Sequence, residues 1–397
     1  MTEPTNHGRR PGTFLALCWM TAGAHCTGRD PGTESDAGSD GGGEGEGEGE
    51  GEGEGEGEGE GEGEGEWVAM NAVDAPSPRG GALAVWSGAD VVIWSGLEIP
   101  GDPKIPSYTP TGGRYRTPSD DWAEMSLADV PVVFAAPCLF VWVDEGAFSW
   151  CGGVPPDEGI RVYEPSADAW RRVSTAGVPT GTDGETATGN TAVWTGAEVI
   201  VWGGGSEGVW IDGARYRASD DEWAPVSTDG AASHRSRHRA VWTGAEMIVW
   251  GGFGEDLGPL FDGGRYDPEA DAWTPLPASP EGGWSPAAGL WTGRFALFWL
   301  DLGGGSFQPV RFDPELSEWT AGSPAAGTAR ADAWTGELAL VWTGTNLARY
   351  DPETDRWSEA PRVGAPSPRN SPAVVWTGDE LIVWGGVAER DGARYRP

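Results

Sequence analysis

Two histidines, His234 and His238, stand in the stretch "SHRSRHRA" among Arg235, Arg237 and Arg239, the densest group of chemically capable side chains in the sequence. An imidazole can carry a proton, and a guanidinium fork grips a carboxylate through paired N–H donors. Arg235 lies seven residues before Trp242, and Arg79 and Arg369 lie at the same distance before Trp86 and Trp376. Trp284 takes that place before Trp291. Together with Trp150 and Trp210, these residues are candidates for binding a carboxylate or a sugar ring, which packs on an indole face. The structural alternative is that the arginines bond loop carbonyls and the tryptophans cap their elements.

Catalytic patterns are thin. The sequence has no CxxC and no HExxH, and no metal or cofactor is expected. "GGFGED", from Gly251 to Asp256, matches one unit of a calcium-binding repeat but has no tandem partner. An acid–base enzyme using two loop carboxylates, such as a glycosidase, is the competing reading, because the 62 acidic residues are too many to single out a pair. The same acids set a formal net charge of -36 against 26 basic residues, with Lys104 the only lysine. Nucleic acid is therefore not an expected partner, since binding it needs a basic footprint.

The first 26 residues read as an export signal. Arg9 and Arg10 precede the apolar run "TFLALCWMTAGA", which is too short to span a bilayer, and Ala22-Gly23-Ala24 fits the small-x-small pattern before a cleavage site. Cys26 supports a rival reading as a lipid-modified cysteine, which would attach the protein to a membrane through lipid alone. From residue 27 to 66 the chain is acidic and glycine-rich, alternating Glu and Gly from Glu44 to Glu66. Such a tract has nothing apolar to bury and repels itself, so it reads as a disordered, solvated tether. Periplasmic or cell-surface localisation is the expectation. Beyond the leader, Cys138 and Cys151 flank "LFVWVDEGAFSW", a hairpin turning near Asp144-Glu145 that would set them opposite each other. They are read either as a disulfide or as two small buried residues.

What must position these side chains is a repeat. "AVWTGAEMIVWGG" recurs as "AVWSGADVVIWSG", "AVWTGAEVIVWGG", "GLWTGRFALFWL", "DAWTGELALVWTG" and "VVWTGDELIVWGG", with a worn copy in "VVFAAPCLFVWV". In every copy two aromatics stand eight apart, Phe134 and Trp142 in the worn one. Each continues to a Tyr or Phe and, seven residues on, a Trp, as in Tyr266 and Trp273 of "RYDPEADAW". The last copy stops at Tyr395, and its missing Trp is Trp67, at the start of the repeated region. Four strands a to d per unit, with the final unit completed by an N-terminal strand, close a ring. The expected fold is an all-β, seven-bladed β-propeller of four-stranded antiparallel blades over residues 67–397.

"VWGG…RYDPEADAW", with Gly-Gly after strand b and then the Tyr and Trp, resembles the kelch repeat, and the resemblance covers residues 67–397. Gly-Gly follows only Trp202, Trp250 and Trp384. The resemblance implies a scaffold that acts mostly as an interaction module, with a minority of enzymes. A copper site like that of the kelch-type oxidases needs histidines and tyrosines from several blades, whereas here every tyrosine except Tyr108 falls on strand c. The a–b and c–d spacings are constant while the b–c and d–a connections vary, and those two sets of loops share one side of a blade. Variable loops on a fixed frame are where recognition is expected. The expected function is therefore non-enzymatic recognition of a protein or polysaccharide at the cell envelope, by a monomer, through that side.

Overall fold

The computed structural model describes residues 65–98, 107–133, 138–182, 184–206, 209–279 and 288–397. The leader with Cys26, the tether before Gly65, Lys104, Phe134 and Trp284 lie outside them. Seven blades of four antiparallel strands are present, the fifth carrying a short added strand, Ala325–Ala326. Their innermost strands are Leu83–Trp86, Leu139–Val143, Thr191–Trp194, Arg239–Trp242, Gly289–Trp291, Ala331–Trp334 and Ala373–Trp376. Each abuts its counterpart in the next blade, and the last abuts the first, so the ring is closed. Closure is made by Glu66–Ala69, which pairs with Gly392–Arg396 and sets Trp67 opposite Tyr395.

The blades form because both faces of every sheet are apolar. The strand-b tryptophans, Trp94, Trp150, Trp202, Trp250, Trp299, Trp342 and Trp384, are all 2% exposed or less. Burying one contributes at most roughly 4–6 kcal/mol at about 25 cal/mol/Å². The strand-a tryptophans, Trp86, Trp142, Trp194, Trp242, Trp291, Trp334 and Trp376, are only half-buried. Each packs against one of seven separate clusters between adjacent blades. Strand a has no sheet neighbour on its inner side, so the area it leaves uncovered faces the central channel. The two tryptophans of each copy therefore differ: one is core and the other lines the channel.

The second blade corrects the sequence reading. Its strand a is Leu139–Val143 and its strand b is Gly146–Trp150, so its aromatic pair is Trp142 and Trp150 instead of Phe134 and Trp142. Both pairs are spaced by eight, and spacing alone could not choose between them. Trp150 thus leaves the list of loop aromatics and joins the core, opposite Leu139 as Trp94 is opposite Leu83. The turn falls at Asp144-Glu145, and Cys138 and Cys151, at the two open ends of this hairpin, are bonded with Cα atoms 4.1 Å apart.

Repeated polar residues stitch blade to blade. The Asp two residues before each strand-d Trp takes positive φ, 48° at Asp271. Its side chain reaches beyond its own turn. The Tyr266 hydroxyl donates to Asp271 Oδ1 at 2.6 Å, and the Ser227 N–H of the preceding blade donates to the same oxygen at 2.9 Å. The Trp273 indole then donates to the Ser227 carbonyl at 2.8 Å. The same staple links Asp120 and Trp122 to Asn71, Asp168 and Trp170 to Ser126, Asp221 and Trp223 to Ser174, and Asp355 and Trp357 to Ser323. Two joints lack the Asp, with Ser317 and Gly65 in its place. There the indoles of Trp319 and Trp67 bond the carbonyls of Pro277 and Pro361. Proline has no N–H, so the acceptor is missing where its donor is missing. The arginine before the strand-c aromatic adds a second stitch, as when Arg215 donates to the Pro268 carbonyl of the next blade at 2.8 Å.

Candidate functional site

The b–c and d–a loops emerge together on one side of the ring, and the three equivalent arginines are the first residues to place there. Arg79, Arg235 and Arg369 are 1%, 0% and 2% exposed. Arg235 donates to the carbonyls of Ser233, Gly251 and Asp262 at 2.8, 3.1 and 2.9 Å and to the side chains of Ser233 and Asp262. Arg369 repeats this with Ser367, Gly385 and Asp391, and Arg79 with Ser77, Ser95, Thr111 and Glu98. One fork thereby fastens the d–a segment to both ends of the b–c loop. A donor set so fully engaged holds the loops in place and offers little to a ligand. The neighbouring blade-three loop packs closely against this segment: Gly203 and Gly204 have φ of 66° and 84°, and a Cβ on Gly203 would lie 2.8 Å from the Arg235 carbonyl and the His238 ring.

His238 is fully buried beneath that glycine pair. Its Nε2 is 2.8 Å from Thr191 Oγ1, while Nδ1 has no hydrogen-bond partner. Burial, and then the charges of Arg235 and Arg239, push its pKa down to about 3, so the ring is neutral. Arg237 holds positive φ, 55°, with its N–H on the Gly189 carbonyl at 2.6 Å, across the joint between blades three and four. Arg239 opens strand a of blade four and donates to the His238 carbonyl at 3.2 Å. It acts electrostatically on Asp332, on strand a of blade six. Asp332 accepts the indole N–H of the blade-five Trp299 at 2.6 Å. Burial pushes its carboxyl up to about 6, against the pull of Trp299 and Arg239. An arginine and a hard-to-ionise carboxyl thus share the channel lining. The sequence reading missed Asp332, although an acid stands where the other copies carry Ala84, Phe140, Ala192, Ala240, Gly289 and Val374.

Trp210 lies on a small side hairpin, Val209–Trp210 paired with Gly205–Ser206, raised from the b–c loop of blade three. Its ring stacks on the imidazole of His234, with centroids 6.4 Å apart and planes at 4°. His234 is 44% exposed, with Nε2 at 3.2 Å from Asp212 and Nδ1 at 3.3 Å from Glu255. Three loops of blades three and four contribute to this group. The string Gly204-Gly205-Ser206-Glu207-Gly208 reads GxSxG, but its serine stands on the short strand Gly205–Ser206 instead of the strand-to-helix turn that a nucleophile elbow needs. On the far side of the same face a cavity of about 470 Å³ is lined by Arg330, Thr343, Thr345, Asn370 and Glu389 among others.

Among the described residues no group of three or more His, Cys, Asp or Glu converges as metal ligands. No family model matches this chain, and no curated protein aligns with it significantly.

Proposed function

We propose that this propeller is a kelch-type recognition module, exported and held at the cell envelope, that binds a protein or polysaccharide through its b–c and d–a loop face. The observation that carries the reading is a division of labour. The polar residues that recur from blade to blade are consumed in stitching, whereas Trp210, Asp212, His234 and Glu255 break the repeat and gather on one face with a half-buried indole and an exposed imidazole. An indole beside hydrogen-bonding groups suits a sugar ring or a polar peptide. The Cys138 to Cys151 bond supports an oxidising compartment and hence export. The glycosidase alternative calls for two carboxyls about 5–10 Å apart with one raised in pKa; Asp332 supplies one candidate acid and is accompanied by Arg239.

A glycan array and a pull-down from envelope extract test the reading, using the full chain and the Trp210→Ala and His234→Ala variants. Binding that falls about tenfold or more in both variants, with unchanged melting, is the expected outcome. Glycoside hydrolysis abolished by Asp332→Asn would overturn the reading in favour of an enzyme.

A further inference from the structure

The opposite face, formed by the short a–b and c–d turns, has its own chemistry. The half-buried tryptophans stand at the a–b turn end of each strand a, last in six of them and next to last in Leu139–Val143, so seven indoles ring the channel mouth on that side. None of their N–H groups is bonded to another described residue, whereas the strand-d indoles are all bonded. Around the ring the turns are acidic: Asp144, Glu145, Glu337 and Asp379 are exposed and outside the stitching. Among the described residues of the turns themselves Arg294 is the sole base, and Glu353 at 2.9 Å and Asp313 at 3.6 Å engage it; the exposed Arg116, Arg217 and Arg356 border the c–d turns from the strand ends, fewer than the acids around them.

We propose that this face docks a lysine- and arginine-rich segment of a partner protein, whose cationic side chains enter the indole ring inside the acidic rim. Charge complementarity selects the occupant. Cations are attracted both to the acidic rim and to indole faces, whose negative quadrupole favours an ammonium or guanidinium. Anionic lipid and nucleic acid are repelled. The chain's own Glu-Gly tract joins the ring at this face, through Gly65 and Glu66 at the start of the closing strand, and like charge disfavours it as the occupant. A second copy is equally unsuited, since the chain has one lysine and a net charge of -36. This proposal stands apart from the loop face, and either can fail alone.

The test titrates the full chain with a synthetic peptide of alternating lysine and glycine while following the indole N–H signals by NMR, with an alternating glutamate peptide as control. Strand-a indole signals should move, and binding should weaken with added salt. A variant carrying Asp144→Asn, Glu145→Gln, Glu337→Gln and Asp379→Asn, all exposed, should melt as the parent does and bind the lysine peptide about tenfold more weakly. Unaltered affinity in that variant, equal binding of the glutamate peptide, or shifts confined to Trp210 would overturn the proposal.

Discussion

At the residue scale, two buried titrating groups within one ring pull stability in opposite directions. His238 has a folded pKa near 3 against an ordinary 6.5, so it favours the folded state fully above pH 6.5, and that contribution is lost as pH falls toward 3. By pH 4.5 the loss is about 2–3 kcal/mol at about 1.36 kcal/mol per pH unit. Asp332 is raised to about 6 from 3.8, so its contribution is whole below pH 3.8 and is lost as pH rises through 6. Because Asp332 is only half-buried, the charge is partly screened and about 2 kcal/mol is the scale expected. The His238→Gln variant, which keeps an acceptor for Thr191, should therefore lose less stability than the parent between pH 7 and 4.5. The Asp332→Asn variant should gain on the parent as pH rises from 4 to 7. Denaturant midpoints measured across pH separate the two, and parallel profiles for parent and either variant would refute that assignment.

The element scale is the joint between blades, where the aspartate staple does what spacing alone did not reveal. "DPEADAW" was legible as a turn, because proline and aspartate signal one locally. The partner of the aspartate, a backbone N–H about 44 residues earlier at Ser227, has no local signature. The Tyr266 hydroxyl, and then the Ser227 N–H, hold the Asp271 carboxyl below the usual carboxylate range. Replacing Asp271 with Ala removes both bonds and puts a non-glycine residue without a polar side chain at positive φ, so a loss of about 2–4 kcal/mol is expected. Asparagine tolerates that backbone and keeps an acceptor, so Asp271→Asn should cost less than about 1 kcal/mol. The blade-five joint supplies the converse experiment. Restoring donor and acceptor together, with Pro277→Ser and Ser317→Asp, should raise the melting temperature, whereas Ser317→Asp alone should not. Equal effects of the single and double changes would show that the staple does not couple the blades.

At the scale of the whole molecule, the ring was legible because its copies are displaced along the chain: six agreeing registers outweigh the one worn copy. The second blade was misplaced because two aromatic pairs there share one spacing, and only strand pairing distinguishes them. The loop-face candidates were harder to read, since a motif-borne arginine looks alike whether it grips a ligand or, as Arg79, Arg235 and Arg369 do, its own loops. Closure makes the sharpest demand. Trp67 packs against Tyr395 at 5.1 Å and Trp342 at 6.5 Å, and its indole bonds Pro361 at 2.8 Å, so one side chain ties the first described strand to the last two blades. Trp67→Ala should cost about 3–5 kcal/mol by leaving a cavity at this seam. Deleting residues 67–80 removes all of the closing strand but Glu66, together with Arg79, and leaves Gly392–Arg396 as an open edge. An unpaired edge recruits another strand, so the truncated chain should unfold or assemble into oligomers on light scattering. If it stayed monomeric with the melting temperature of the intact chain, the closing strand would not be what holds the ring shut.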